Sequence, residues 1–260
     1  MDKINYNDID FSLLKKSEIQ GTTSTVYENG DECIKIINGL FPYEKRDLYK
    51  KFLEMDGIKI NGVLLPTGLI IKDNNLYGYT MNNFKNSINL NDYFDKKIDY
   101  AILFDIIKRV SVILKEIHNN QIIYEDLSFD NILIDDSFNI MFSDIDGCAY
   151  KDYSSPFISY ILNNYISNYR GEDIHISKNL DRISMMLSMI YLVYKEEIKY
   201  LDVNYCEHIS KDIKTLQNLK KYVELFRCTK SDISDIPYLD EIIDVSDCID
   251  FDKTLNLSKI

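Results

Sequence analysis

The sequence predicts an α+β fold whose first part is rich in β-strands and whose second part is helical. In the first part, two short apolar runs flank Asn29-Gly30, a pair typical of a tight hairpin turn. In the second part, apolar residues recur at the spacing of an amphipathic helix: Leu103, Ile107, Val110, Leu114 and Ile117. At 260 residues, the chain is long enough for one large domain or for two lobes.

Composition narrows the classes of partner and compartment. The net charge of −12 disfavours nucleic acid and anionic membranes, because such surfaces repel an acidic protein. The five cysteines are scattered and form no C-x-x-C pair, which is typical of reduced thiols in the cytosol and not of a zinc site. No apolar run reaches the length of about 18 residues that a membrane span needs, and the first residues lack the apolar core of a signal peptide. We therefore expect a cytoplasmic protein with no nucleic-acid or membrane partner.

The first part is predicted to contain four strands and one helix. Thr25–Tyr27 and Glu32–Ile37 form the hairpin, and Leu64–Lys72 and Asn75–Met81 form two further strands joined by a turn. Between them, a helix begins at Pro42 and stops near Gly57, with one apolar face made by Leu48, Phe52 and Met55. The polar, aperiodic stretch from Asn82 to Asn91 is interpreted as a linker.

The second part is predicted to be mainly helical. The amphipathic helix ends near His118, and Leu180–Tyr194 is apolar nearly all round, as in a fully buried helix. Ile209–Phe226 has a further amphipathic pattern. From Asp232 to Asp252 acidic residues dominate without lysine or arginine, which is typical of a solvated surface.

Three oxygen-bearing side chains between these helices suggest a catalytic or metal-binding site. Asp126, Asn131 and Asp144 each lie just outside a short apolar strand. Oxygen ligands suit Mg²⁺, and a carboxylate can orient or accept the proton of a hydroxyl group. A lone Asp126 would equally fit a helix cap or a turn, and Asp146 fits either a further metal ligand or a solvated turn.

Lys35 is the candidate partner of these acids in the first part. It lies within C-I-K-I-I, an otherwise apolar strand where an unpaired ammonium group would be costly. A lysine reaching to solvent from an edge strand is the alternative interpretation.

These motifs together resemble those of the eukaryotic-like protein kinases. Y-E-D-L-S-F-D-N (Tyr124–Asn131) resembles the catalytic loop H-R-D-L-x-x-x-N, and D-I-D-G (Asp144–Gly147) lies where the family has D-F-G. The helix that opens at Asp181 resembles the family's buried central helix. The resemblance implies a two-lobed protein kinase-like fold, with a small β-rich N-lobe (1–83) that carries one helix and a larger helical C-lobe (84–260).

The resemblance also implies roles for individual residues. Asp126 would be the catalytic base, and Lys35, held by Glu54, would contact the ATP phosphates. Helical geometry places Glu54 beside the apolar face of its helix, whereas Glu44 is on that face but close to Lys35 in sequence. Asn131 and Asp144 would bind Mg²⁺. Asp181 would support the catalytic loop or cap its own helix, and His118 would be structural.

Further residues are expected to surround the nucleotide. Gly21 and Ser24 would belong to a phosphate-covering loop, G-T-T-S, whose backbone N–H groups cradle the phosphates, and an ordinary turn is the alternative interpretation. The floor and the linker of the adenine pocket are expected to come from six residues: Val26, Cys33, Met81, Asn82, Phe84 and Leu133. The implied cofactors are ATP and Mg²⁺.

Several positions depart from the family pattern. The phosphate loop keeps one glycine, Tyr124 and Glu125 replace His and Arg, and Ser128 stands where protein kinases usually carry a lysine. The prediction is an ATP- and Mg²⁺-dependent transferase, a serine/threonine-protein kinase that phosphorylates a protein hydroxyl. Two alternatives stay open: a phosphotransferase with a small-molecule hydroxyl acceptor, and a nucleotide-binding pseudokinase that acts as an interaction module.

Overall fold

The computed structural model of the chain describes residues 1–18, 24–95, 100–125, 127–154, 177–194, 218, 221–222 and 236–243. Within these ranges the fold is mixed α+β. Its largest element is a six-stranded sheet with the order β1-β5-β6-β4-β3-β2. The strands of this sheet are β1 (Asp2–Asn5), β2 (Lys15–Lys16), β3 (Ser24–Asn29), β4 (Glu32–Ile37), β5 (Pro66–Lys72) and β6 (Asn75–Asn82).

The predicted hairpin and strand pair are confirmed. β3 and β4 pair antiparallel, and Gly30 has the positive φ of +65° that a tight turn requires. β4, which carries Lys35, lies between β6 and β3 and is therefore in the interior of the sheet. The alternative of a lysine on an edge strand is therefore wrong. β1, which pairs in parallel with β5, was not predicted because its short polar sequence has no strand period.

Helix α1 (Pro42–Glu54) begins at the predicted proline. Its buried face contains Leu48, Lys51 and Phe52, and Phe52 packs edge-on against Tyr79 of the sheet. The interpretation of Asn82–Asn91 as an aperiodic linker is wrong in part. Within it, β7 (Ser87–Asn89) pairs with a strand far along the chain, and α2 (Leu90–Asp95) begins directly afterwards.

The second part contains the predicted long helix α3 (Tyr100–Asn119) and two small sheets. One sheet has the order β10-β9-β7, with β9 (Ile132–Asp135) and β10 (Ile140–Phe142) as an antiparallel pair. The other pairs β8 (Ile122–Ile123) with β11 (Ala149–Tyr150). α4 (Lys178–Tyr194) confirms the predicted apolar helix, and a short α5 (Leu239–Ile242) packs against α3. The helix predicted from Ile209 to Phe226 lies almost wholly outside the described residues, as does most of the acidic stretch.

The large sheet buries both of its faces. One face, with Cys33, Ile37 and Tyr79, faces the main hydrophobic core that it shares with α1 and α3. The opposite face buries Ile34, Ile36 and Ile70 beneath residues of the chain's first segment and nearby aromatic rings. Side chains of β4 alternate between these faces, so Lys35 points towards the main core together with Cys33. None of the described helices is long and apolar enough to cross a lipid bilayer.

Candidate active site

Lys35 forms the centre of the candidate site. Its side chain is buried, and Nζ donates hydrogen bonds to Asp144 Oδ1 at 2.8 Å and to Asp146 Oδ1 at 2.7 Å. These contacts join the interior of the large sheet to a loop more than a hundred residues away, as the 109-residue separation of Lys35 and Asp144 shows. Burial alone would lower the pKa of Lys35, but the two carboxylates raise it, so the side chain is a cation.

Asp146 is the more deeply buried of the two acids. Its side chain is 5% exposed, against 44% for Asp144, and its Oδ1 also accepts a hydrogen bond from the Tyr79 hydroxyl at 2.7 Å. Burial alone would raise the pKa of Asp146, whereas Lys35 and Tyr79 keep it below the ordinary value of 3.8. The interpretation of Asp146 as a solvated turn residue is therefore wrong. Asp146 is the buried counter-ion of Lys35.

The loop that carries both acids has an unusual backbone. Asp144 adopts a left-handed conformation with φ 61° and ψ 37°, and residues Ile145–Gly147 form one 3-10 turn. Few residues other than glycine adopt positive φ, and such positions cluster at functional sites. Next to the loop, Ser143 donates its N–H to the Asn131 carbonyl oxygen at 2.9 Å. The structure therefore brings Asn131, Asp144 and Lys35 into one neighbourhood.

The expected ion pair between Glu54 and Lys35 is not formed. The Glu54 carboxylate lies at the protein surface, where it accepts hydrogen bonds from Tyr153 Oη at 2.7 Å and Lys151 Nζ at 3.2 Å. Glu44, the other candidate, accepts from the backbone N–H of Phe41 at the start of α1. From the same helix, Lys51 reaches the loop and donates to the carbonyl oxygens of Asp146 and Cys148. Glu54 does not reach Lys35 because it lies on the exposed side of the helix, beside the face that buries Lys51, Phe52 and Met55.

Most of the residues expected around the nucleotide lie on one side of the large sheet. Cys33 is the register partner of Met81, Val26 is the partner of Lys35, and these residues belong to or pack against the main core. Leu133 of β9 is buried in that core, and Phe84 packs against it. Asn82, in contrast, is exposed at the end of β6. Burial raises the pKa of the Cys33 thiol to about 11, so Cys33 is a neutral group on this side of the sheet.

Asp126 and Gly21 lie outside the described residues, and their predicted roles stay predictions. Ser24, the first described residue after the phosphate-covering segment, is buried at the start of β3.

Asp181 supports the loop that precedes Asp126. Its carboxylate is fully buried and accepts the backbone N–H groups of Tyr124 at 2.6 Å and Glu125 at 2.9 Å. It also contacts His118 Nε2 at 2.9 Å, while His118 Nδ1 contacts the Tyr238 hydroxyl. The predicted contact of Asp181 with this loop is confirmed, and the buried His118 side chain lies beside it. Asp181 is the fourth residue of α4 and not its N-cap, because the helix begins at Lys178.

Sequence reasoning missed three residues that shape the site. Tyr79 and Lys51 supply buried polar contacts, and Gly78 lets β6 approach β4: a Cβ there would lie 2.2 Å from the Lys35 carbonyl oxygen. Lys51 could have been found, since it lies three residues after Leu48 on the apolar face of α1. Tyr79 and Gly78 carried no such signal, because their roles depend on a strand register that the sequence does not specify.

No family model matches the sequence, and a comparison with curated proteins finds no match either. In the part of the chain that the structure describes, no three or more His, Cys, Asp or Glu side chains are grouped as a metal site.

The Asp146 carboxylate should make stability depend on pH in a defined way. We expect Asp146→Asn to lower the free energy of unfolding by about 3 kcal/mol at pH 7, because it breaks a buried ion pair while Asp144 remains. The folded-state pKa lies below 3.8, so the contribution of the ionised carboxylate is present above pH 3.8 and is lost as pH falls through the lowered pKa. The difference between the two proteins should therefore shrink below pH 3.8.

Urea unfolding of both proteins between pH 7 and pH 3 measures this difference. Asp136→Asn is the matched control, because Asp136 is exposed in the turn between β9 and β10. An Asp146→Asn effect of equal size at pH 3 and pH 7 would contradict the assignment of Asp146 as an ionised partner.

Proposed function

We propose that the chain is an ATP- and Mg²⁺-dependent phosphotransferase with a two-lobed protein kinase-like fold, which transfers the γ-phosphate of ATP to a serine or threonine hydroxyl of a protein. The observation that supports it best is the contact between Lys35 and Asp144. A cation in the interior of one sheet and an acid on a distant loop meet, as binding of a metal–triphosphate complex requires.

The residues present fit a magnesium ion. Mg²⁺ takes hard oxygen ligands, keeps several waters, and is usually bound through one or two carboxylates together with substrate phosphates. Asn131 and Asp144 supply oxygens of this kind, and the Asp144 carboxylate is 44% exposed and so open to a ligand. The ion would neutralise charge on the phosphates.

The remaining residues would position the reactants. Lys35 would exchange its contact with Asp144 for the ATP phosphates while Asp146 keeps it charged and directed. Asp126 would orient the acceptor hydroxyl and take its proton, and Asp181 would hold the backbone before it. Catalysis of this kind consists mainly of positioning and charge stabilisation.

Transfer of label from γ-labelled ATP to a mixed protein acceptor, with Mg²⁺ present, tests the proposal directly. We expect the unaltered chain to transfer label, and Asp126→Asn and Asp144→Asn to lose about 10²-fold or more of the rate. Asp136→Asn serves as the matched control. Equal transfer of label by all these proteins would overturn the proposal. Transfer of label that occurs only when small alcohols are added would point to a small-molecule acceptor instead.

A nucleotide-binding pseudokinase is the second candidate. The observation that favours it is that Lys35 already has two carboxylate partners while the expected partner Glu54 points away. Ligands that bind the folded state alone raise thermal stability by mass action. Stabilisation by ATP without Mg²⁺, combined with no turnover for any acceptor, would support this candidate over the transferase.

A further inference from the structure

Lys51 is a buried lysine to which the proposed chemistry assigns no role. It lies on the inner face of α1 between Leu48 and Phe52, and it is 1% exposed. A lysine ammonium in an apolar interior is costly unless hydrogen-bond acceptors surround it. Its place on the helix therefore needs an explanation from its partners.

The partners of Lys51 are both backbone carbonyls of the loop that carries the acids. Nζ donates to the carbonyl oxygen of Asp146 at 2.8 Å and to that of Cys148 at 2.6 Å. These two acceptors flank Gly147, at the end of the 3-10 turn that begins directly after Asp144. One helix side chain thus fixes the position of the loop's main chain on both sides of a glycine.

Asp146 is held from three elements at once. Lys35 of β4 and Tyr79 of β6 bind its carboxylate, and Lys51 of α1 binds its carbonyl. The left-handed backbone of Asp144 lies two residues before this anchor. Strained backbone of this kind persists where its surroundings over-determine it.

A second polar link between α1 and this part of the chain is weaker. Glu54 binds Lys151 and Tyr153, but its side chain and that of Lys151 are both more than 40% exposed. Exposed ion pairs contribute little, because water and salt screen them. Lys51 therefore supplies the buried connection between helix and loop.

We propose that Lys51 is a positioning residue that holds the 144–148 loop against α1 and thereby sets the direction of the Asp144 carboxylate for a nucleotide-bound metal. The part of this inference that concerns the metal rests on the proposed function, whereas the part that concerns the loop does not. A displacement of α1 would change the site through Lys51, and not through an ion pair between Glu54 and Lys35.

Two neighbouring lysines of α1 provide a matched test. Lys51→Met removes the buried donor, and Lys50→Met makes the same change at an exposed position one residue away. The first measurement is hydrogen exchange of the nucleotide-free protein at the amides of Gly147 and Cys148, which donate to Asp144 and Ile145 within the loop. We expect Lys51→Met to raise exchange there by about tenfold relative to β9 and β10, and Lys50→Met to leave it unchanged.

The second measurement is the affinity for ATP with Mg²⁺ and with a chelator. We expect Lys51→Met to bind ATP about tenfold more weakly than the unaltered chain when Mg²⁺ is present. With the chelator, the two proteins should bind ATP with the same affinity. If Lys51→Met does not fold, Lys51→Gln, which keeps a shorter, uncharged NH₂ donor, is measured in both assays and should change the same quantities in the same direction.

The outcomes separate this inference from the proposed function. Exchange at residues 147 and 148 that stays unchanged, or that rises equally throughout the sheet, would overturn the positioning role even if ATP binds. Faster hydrogen exchange in the loop, combined with an equal loss of ATP affinity with Mg²⁺ and with the chelator, would overturn the link to the metal. Failure of the unaltered chain to bind Mg²⁺–ATP would overturn the proposed function, while the exchange result would still decide whether Lys51 holds the loop.

Discussion

Replacing Asp181 by alanine should lower the free energy of unfolding by about 3–5 kcal/mol, the range found when one member of a buried charged network is removed. Asp181 is fully buried and has three partners: His118, and the N–H groups of Tyr124 and Glu125. The alanine variant would leave two buried backbone donors without an acceptor. It would also release Glu125, whose φ of 58° is a left-handed conformation.

Chemical denaturation at neutral pH measures this loss. Asp105→Ala is the matched control, because Asp105 lies on the exposed side of α3 in a surface ion pair with Arg109 and should contribute less than about 1 kcal/mol. A change below about 1 kcal/mol for Asp181→Ala would mean that the loop before Asp126 is held in place by other contacts.

For the proposed transferase activity, replacing Lys35 by methionine should reduce phosphoryl transfer by about 10²–10³-fold, the loss that follows removal of one preorganised donor to developing charge. The substitution also leaves Asp144 and Asp146 close together without their shared cation. We therefore expect weaker ATP binding as well as slower turnover. A fall in kcat/KM that exceeds the fall in kcat separates the two contributions.

Lys85→Met is the control for this substitution. Lys85 forms an exposed pair with Asp31 near the β3–β4 turn, and removing it should leave turnover within twofold of the unaltered rate. Assays are run at a temperature where thermal denaturation shows Lys35→Met to be folded. Turnover of the folded variant within about fivefold of the original would contradict a phosphate contact for Lys35.

Local signals in the sequence were sufficient for several elements. The Asn29-Gly30 turn, Pro42 at the start of α1 and the apolar period of α3 act over a few residues, and each of these elements is found as predicted. β1 and β7 were missed for the opposite reason. Both are short, and they form strands because a distant partner, β5 or β9, supplies their hydrogen bonds.

The candidate site shows the same division. Lys35, Asp144 and Asp181 were identified from their spacing and from the motifs around them, and the structure joins Lys35 to Asp144 and Asp181 to the loop before Asp126. Glu54 was predicted to pair with Lys35, but Lys35 pairs with Asp144 and Asp146, and Glu54 pairs with Lys151. Glu54 and Lys51 are three residues apart on one helix, and the rotation of that helix against the sheet decides which of them is buried.

The sequence was enough to predict the hairpin, the strand pair after α1, the apolar faces of the long helices and the choice of Lys35 and Asp144 as site residues. These follow from short-range preferences, from periodic burial and from the types of side chain present. Tertiary structure alone decided that Asp146 is the counter-ion of Lys35, that Lys51 holds the loop and that Glu54 faces solvent. A buried charge pairs with whichever group the packing brings within hydrogen-bond distance, and here that packing joins residues about a hundred positions apart in the chain.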